Sequence, residues 1–143
     1  MTRELGTRFP HAYILLQGKL DGSGEKIEAN YGFTATRISP AILLGAVDGE
    51  IMSVDADYIA RSDRHFTLTL SDSEYHRVMA TVDRWRRLRQ PSYDLDEQNC
   101  VYFVAHVAAT LGMKAATPKN LMKKPHRYVA SLAAANRTWL ARR

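Results

Sequence analysis

From Asn99 to Leu111 the chain reads NCVYFVAHVAATL, apolar on nearly every face and interrupted only by His106 and Thr110. A helix with so little polar surface has to be buried centrally, so the rest of the chain must wrap it. Asn99 is suited to cap it, which places the only cysteine, Cys100, in the first turn. Unpaired N–H groups and the helix dipole favour an anion there, the setting in which a thiol loses its proton and becomes a nucleophile. A lone cysteine also serves as a small buried hydrophobe, and this stretch alone leaves both roles open.

A chain of 143 residues makes one domain, 1–143, with room for a core that needs neither disulfide nor metal. One cysteine forms no internal bridge, which permits folding in the cytosol. The opening Met1 to Pro10 carries Arg3, Glu4 and Arg8 and lacks the apolar stretch of a signal peptide, so cytoplasmic synthesis without a leader is expected. A formal charge of +5 suits an anionic partner: nucleic acid, acidic lipid or a cell-wall polymer. No RNA-recognition signature, zinc-finger spacing or phosphate-binding loop occurs, which argues against nucleic acid. The histidines are scattered and form no ligand cluster, so neither metal nor other cofactor is expected.

Upstream of the apolar helix the pattern is that of strands. His11 to Lys19 reads as a strand, Asp21-Gly22-Ser23-Gly24 as a turn, and Lys26 to Thr36 as the second arm of a hairpin. Ile38 to Val47 fits a short helix or a strand equally. Glu50 to Val54 reads as a short strand, and Arg64 to Leu70 alternates as a further one. Ser71 with Glu74 has the form of a capping box, and Tyr75, Val78, Met79, Val82 and Trp85 make an apolar stripe on a helix ended by Gln90-Pro91. The arginines off that stripe, Arg84, Arg86, Arg87 and Arg89, read as a solvated face. Gly112 stops the Cys100 helix, Thr117-Pro118 opens a short helix to Lys124, and Pro125 opens another toward Leu140. Strands followed by helices predict an α+β fold with helices packed on an antiparallel sheet.

Five short patterns occur in order: His-Ala-Tyr-Ile-Leu on an early strand, Tyr31-Gly32-Phe33 after a glycine-rich turn, Gly49-Glu50, a strand leading to Ser-Asp-Ser-Glu-Tyr, and Tyr93-x-Leu95-x3-Asn99-Cys100-x2-Phe103. Together they resemble the circularly permuted NlpC-type papain-like cysteine hydrolases, in which the histidine strand precedes the cysteine helix. Acyltransferases similar to lecithin:retinol acyltransferase belong to the same branch. The resemblance spans Pro10 to Met113. It implies a papain-like sheet packed on a central cysteine helix, Cys100 as nucleophile and His11 as general base.

A polar group on the strand after the histidine strand would orient the imidazole, and Glu28 and Asn30 are the candidates there, with His65 a further contender. Tyr93 resembles the tyrosine that lines the site, and the Cys100 N–H would serve an oxyanion hole. Asn99 stands where unpermuted relatives carry aspartate and is otherwise a helix cap. His76 and His106 lie too far round or along their helices to reach the thiol. The implied activity is amide cleavage in a peptide of bacterial peptidoglycan. Lacking a leader, such an enzyme would act in the cytosol or leave through a contact-dependent machine such as type VI secretion, with a cognate immunity protein as partner. The alternatives are a lipid acyltransferase or phospholipase, whose basic patch would meet acidic headgroups, and a binding module without turnover.

Overall fold

The computed structural model describes residues 1–3 and 10–143, the side chain of Arg3 excepted. Glu4 and Arg8, read above for the charge of the leading segment, lie outside the described residues. The fold is α+β. Strands β1 (Thr2–Arg3) and β2 (His11–Ala12) pair antiparallel, and β3 (Ile14–Lys19), β4 (Lys26–Ala35) and β5 (Gly49–Met52) form a three-stranded antiparallel sheet in that order. Five helices follow: α1 (Ala56–Ala60), α2 (Asp72–Arg86), α3 (Cys100–Thr110), α4 (Pro125–Ala135) and α5 (Arg137–Leu140). None of the described helices is long and apolar enough to cross a membrane.

The local signals hold where their partners are local. The hairpin forms with Ile14 opposite Tyr31 and Lys19 opposite Lys26, and its first arm is interrupted at Tyr13, so His11 and Ala12 form a separate strand paired with β1. Ser71 and Glu74 make the reciprocal capping box on α2. Asn99 caps α3 by accepting from Val101 N–H at 2.8 Å, and Gly112 ends that helix at φ +87°, a conformation that favours glycine. Residues 38–47 contain a 3-10 turn, Pro40–Leu43, and then Val47 bridges to Tyr93.

Two expected elements are absent. The segment 64–70 alternates as a strand should, with Phe66, Leu68 and Leu70 half-buried and Thr67 and Thr69 exposed. Among the described residues it joins no ladder, and β3, the strand nearest it, is paired with β4 alone. The helix expected from Thr117 to Lys124 is instead a chain of turns, in which Leu121 N–H donates to Pro118 and Lys124 N–H to Leu121. There Met122 is buried and its carbonyl accepts from Asn99 Nδ2, which draws the backbone out of a helical ladder. The last helix is also broken, at Asn136, whose amide accepts from Lys114 N–H and donates to Lys114 C=O.

The core lies between the sheet and α2, α3 and α4. Trp85 of α2 sits edge-on to Phe33 of β4, at 4.7 Å between centroids, and to Phe103 of α3 at 5.5 Å. Its indole N–H donates to His106 Nδ1 at 3.2 Å, so a polar group in a crowded place has its partner. The apolar face of α3 thereby spans the core, and its first turn meets β2 at Ala12.

Candidate active site

Cys100 is fully enclosed at the first position of α3. Its sulfur receives N–H groups from Ala12, from its own backbone and from Val101. These favour a thiolate, but burial outweighs them, and the thiol's pKa is pushed up to about 11. Asn99 has no free polar atom to offer a substrate: besides its cap, Nδ2 donates to Leu95 C=O at 2.8 Å and to Met122 C=O at 3.0 Å. Tyr93 stacks at a tilt on Phe33, and its hydroxyl is held neutral first by burial and then by the proximity of Cys100.

The Ala12 contact decides how the histidine strand meets the thiol. Tyr13 N–H donates to Met1 C=O, toward β1, so by antiparallel alternation Ala12 N–H points the other way, toward β4. The Cys100 sulfur accepts it there, where β2 and β4 share no ladder. Ala12 turns its side chain into the core beside α3, and His11, its neighbour on an extended strand, starts on the opposite face. The His11 ring stacks on Tyr13 and lies over Gly32: a Cβ at that glycine would come within 2.3 Å of Nε2. Only a residue without a side chain leaves room for the imidazole. Nε2 is buried and has no hydrogen-bond partner among the described residues. Burial, then the Met1 ammonium, lowers its pKa to about 4. Thiol and imidazole therefore approach one seam between β2 and β4 from its two sides, both neutral, with no hydrogen bond between them.

The three candidates for orienting the imidazole are engaged elsewhere. Glu28 is opposite Gln17, about 20 Å along the hairpin from the level of His11 at the usual rise of a strand, and pairs with Lys26 in solvent. Asn30 shares the face of Gly32, but its amide grips the backbone of Val54, donating to C=O at 3.0 Å and accepting from N–H at 2.7 Å. His65 bonds Thr2 Oγ1 at 2.7 Å and sits edge-on to His126.

Sequence reasoning missed Ala12, which supplies the hydrogen bond to the thiol, and the role of Gly32. Alternation along β4 from the core residue Phe33 carries the signal for Gly32, because it turns that position to the His11 side.

A cleft of about 400 Å³ opens beside the seam, lined by His11 and Tyr93 with Ile38, Ile42, Met52, Val54 and Tyr58 among its apolar walls. Ile38 of this wall is 63% exposed, and the adjoining Leu43 and Leu44 are 75% and 89% exposed. Among the described residues no cluster of side chains could hold a metal ion. No protein-family model, no curated protein and no solved structure matches the chain.

Proposed function

We propose that the chain is a cysteine hydrolase that cleaves an amide bond, with Cys100 as nucleophile, His11 as general base and a peptide of bacterial peptidoglycan as substrate. One observation carries the reading: the hydrogen bond from Ala12 N–H to the sulfur, which sets the only thiol against the residue next to His11. The enclosed Nε2 over Gly32 supports it, since a buried nitrogen without a partner is a cost that a purely structural histidine avoids. The substrate class rests on the resemblance to NlpC-type hydrolases, with which a positively charged chain is compatible.

In the reaction the thiol proton passes to the imidazole and the sulfur bonds the carbonyl carbon. The C–N bond then breaks as the imidazolium returns the proton to the leaving amine, and water splits the thioester. With the thiol ionising near 11 and the imidazole near 4, the resting pair is neutral at pH 7. Turnover therefore requires the imidazole to reach hydrogen-bonding distance of the sulfur once substrate fills the cleft.

A second reading, a lipid acyltransferase or phospholipase that forms its thioester on Cys100, is favoured by the apolar cleft and by the exposed Leu43 and Leu44 that follow its wall residue Ile42 in the chain. The buried neutral thiol favours a third, a binding module without turnover. Intact-mass measurement after exposure to muropeptides, and separately to phospholipid vesicles, distinguishes them. An acyl adduct on Cys100 from muropeptides is the expected result, and one from vesicles alone selects the lipid reading. No adduct, with no alkylation of the folded thiol by iodoacetamide, leaves the binding module. Cys100→Ser should abolish turnover and keep the melting temperature within a few degrees, as a change of about 1 kcal/mol implies for a domain of this size.

A further inference from the structure

A cavity of about 470 Å³ lies away from the thiol, between β3 and the unladdered segment 64–70. Every residue from Tyr13 to Leu20 and from Arg64 to Leu70 borders it, odd and even alike, so it is walled by the edges of two extended segments and not by their faces. Its floor is apolar, formed by Val104, Val107 and Leu111 of α3 with Val129 and Leu132 of α4.

Among the described residues, both walls present backbone groups without hydrogen-bond partners. Tyr13 N–H points to β1, so by alternation the N–H groups of Leu15, Gln17 and Lys19 point into the slot. Across from them, among the described residues, no backbone group of Phe66 to Leu70 makes a hydrogen bond. The width of the slot is shown at one end. There β1 occupies the same line and bonds on both sides, Tyr13 N–H to Met1 C=O at 3.1 Å, Thr2 N–H to Asp63 C=O at 3.0 Å and Asp63 N–H to Thr2 C=O at 2.8 Å. The gap between these walls at that end is one strand wide, and the slot continues from there between Leu15–Lys19 on one side and Phe66–Leu70 on the other.

We propose that the protein binds an extended peptide in this slot as a guest strand, antiparallel to β3 and in line with β1, with its C-terminal carboxylate beside Arg64. An apolar chain would fill the volume but leave the facing N–H and C=O groups without partners, which a peptide backbone supplies. Guest residues opposite Ile14 and Leu16, both packed against the core, point to the floor and are apolar, and the alternate ones are polar. The direction of β1 brings the guest's C-terminus to Met1, where Arg64 borders the slot and supplies a cation. The inference does not depend on Cys100.

The test uses the free-acid hexapeptide Thr-Val-Thr-Val-Thr-Val, its C-terminal amide, and dodecanoate, with titration calorimetry and amide hydrogen exchange. The free acid should slow exchange at Leu15 and Gln17 on one wall and at Thr67 and Thr69 on the other. The amide should bind about tenfold more weakly, the worth of one charge-assisted contact, and Arg64→Gln should erase that difference. Gln17→Pro removes one donor at an edge position that tolerates proline and should block the peptide while circular dichroism stays that of the parent. The proposal is overturned if Thr67 and Thr69 are already protected in the free protein, if the peptide protects one wall only or fails to bind, or if dodecanoate alone protects both. Should Gln17→Pro not fold, the comparison of acid with amide in Arg64→Gln still decides.

Discussion

Two histidines, His106 on α3 and His11 on the strand that meets its first turn, stand in different circumstances. On the helix, His106 accepts the Trp85 indole N–H at 3.2 Å in a cluster where every ring has a neighbour. At the N-terminal end, His11 lies over a glycine with Nε2 enclosed and unpartnered among the described residues, beside a strand that hydrogen-bonds the thiol. Burial lowers the pKa of both, so the shift alone does not separate structure from chemistry. The unspent nitrogen does, together with what stands opposite it.

The comparison breaks most severely in the cluster around His106. Phe103→Ala removes a fully buried ring from Trp85 and should cost roughly 3 to 5 kcal/mol in chemical denaturation.

Next comes pH. The unfolded chain protonates its histidine near 6.5 and the folded His11 only near 4, so the stability it contributes is complete above 6.5 and lost as pH falls toward 4. The loss reaches about 3 kcal/mol at most, less to the extent that the ring meets solvent. The thiol acts in the opposite sense, its contribution complete below pH 9 and lost as pH rises toward 11. The Met1 ammonium, whose pKa burial lowers to about 6, adds a further rise in stability between about pH 6 and 8. Denaturation midpoints should therefore climb from pH 4 to about 8 and fall above 9, and His11→Leu should flatten the part of the climb below 6.5.

Gly32→Ala should cost about 1 to 3 kcal/mol by overpacking and displace the imidazole, seen as a shifted His11 titration by NMR. The smallest effect is expected of His106→Leu. It strands the Trp85 N–H at a cost of about 1 to 2 kcal/mol and should leave the titration of His11 unchanged.

What was legible in the sequence is what neighbours along the chain decide. The Ser71–Glu74 box, the Asn99 cap, the Gly112 stop and the β3–β4 hairpin each close within a few residues and appear where they were read. The segment 64–70 carries a strand's alternation, but a ladder needs a second backbone, and no local signal announces that, among the described residues, β3 pairs with β4 alone. Asn30 was a candidate for the site because of its strand and face. Its amide is occupied by Val54, a partner supplied by the return of a loop, which composition does not encode. Cys100 and His11 do come to the same seam, on opposite sides of it, and the opposition follows from Ala12 being the residue that faces the helix.

The segment after α3 is tied to both ends of that helix. Met122 C=O holds Asn99 at the start, and Asn136 clasps Lys114 just past the end, all through buried amides. In mechanical terms α3 is a shaft held in two bearings, both carried by the stretch between Lys114 and Asn136. A shaft so mounted does not slide, and the sulfur at its tip keeps its position along the axis. Any movement that closes the distance between sulfur and imidazole must come from the histidine side, by turning a ring that rests on a glycine next to an open cleft.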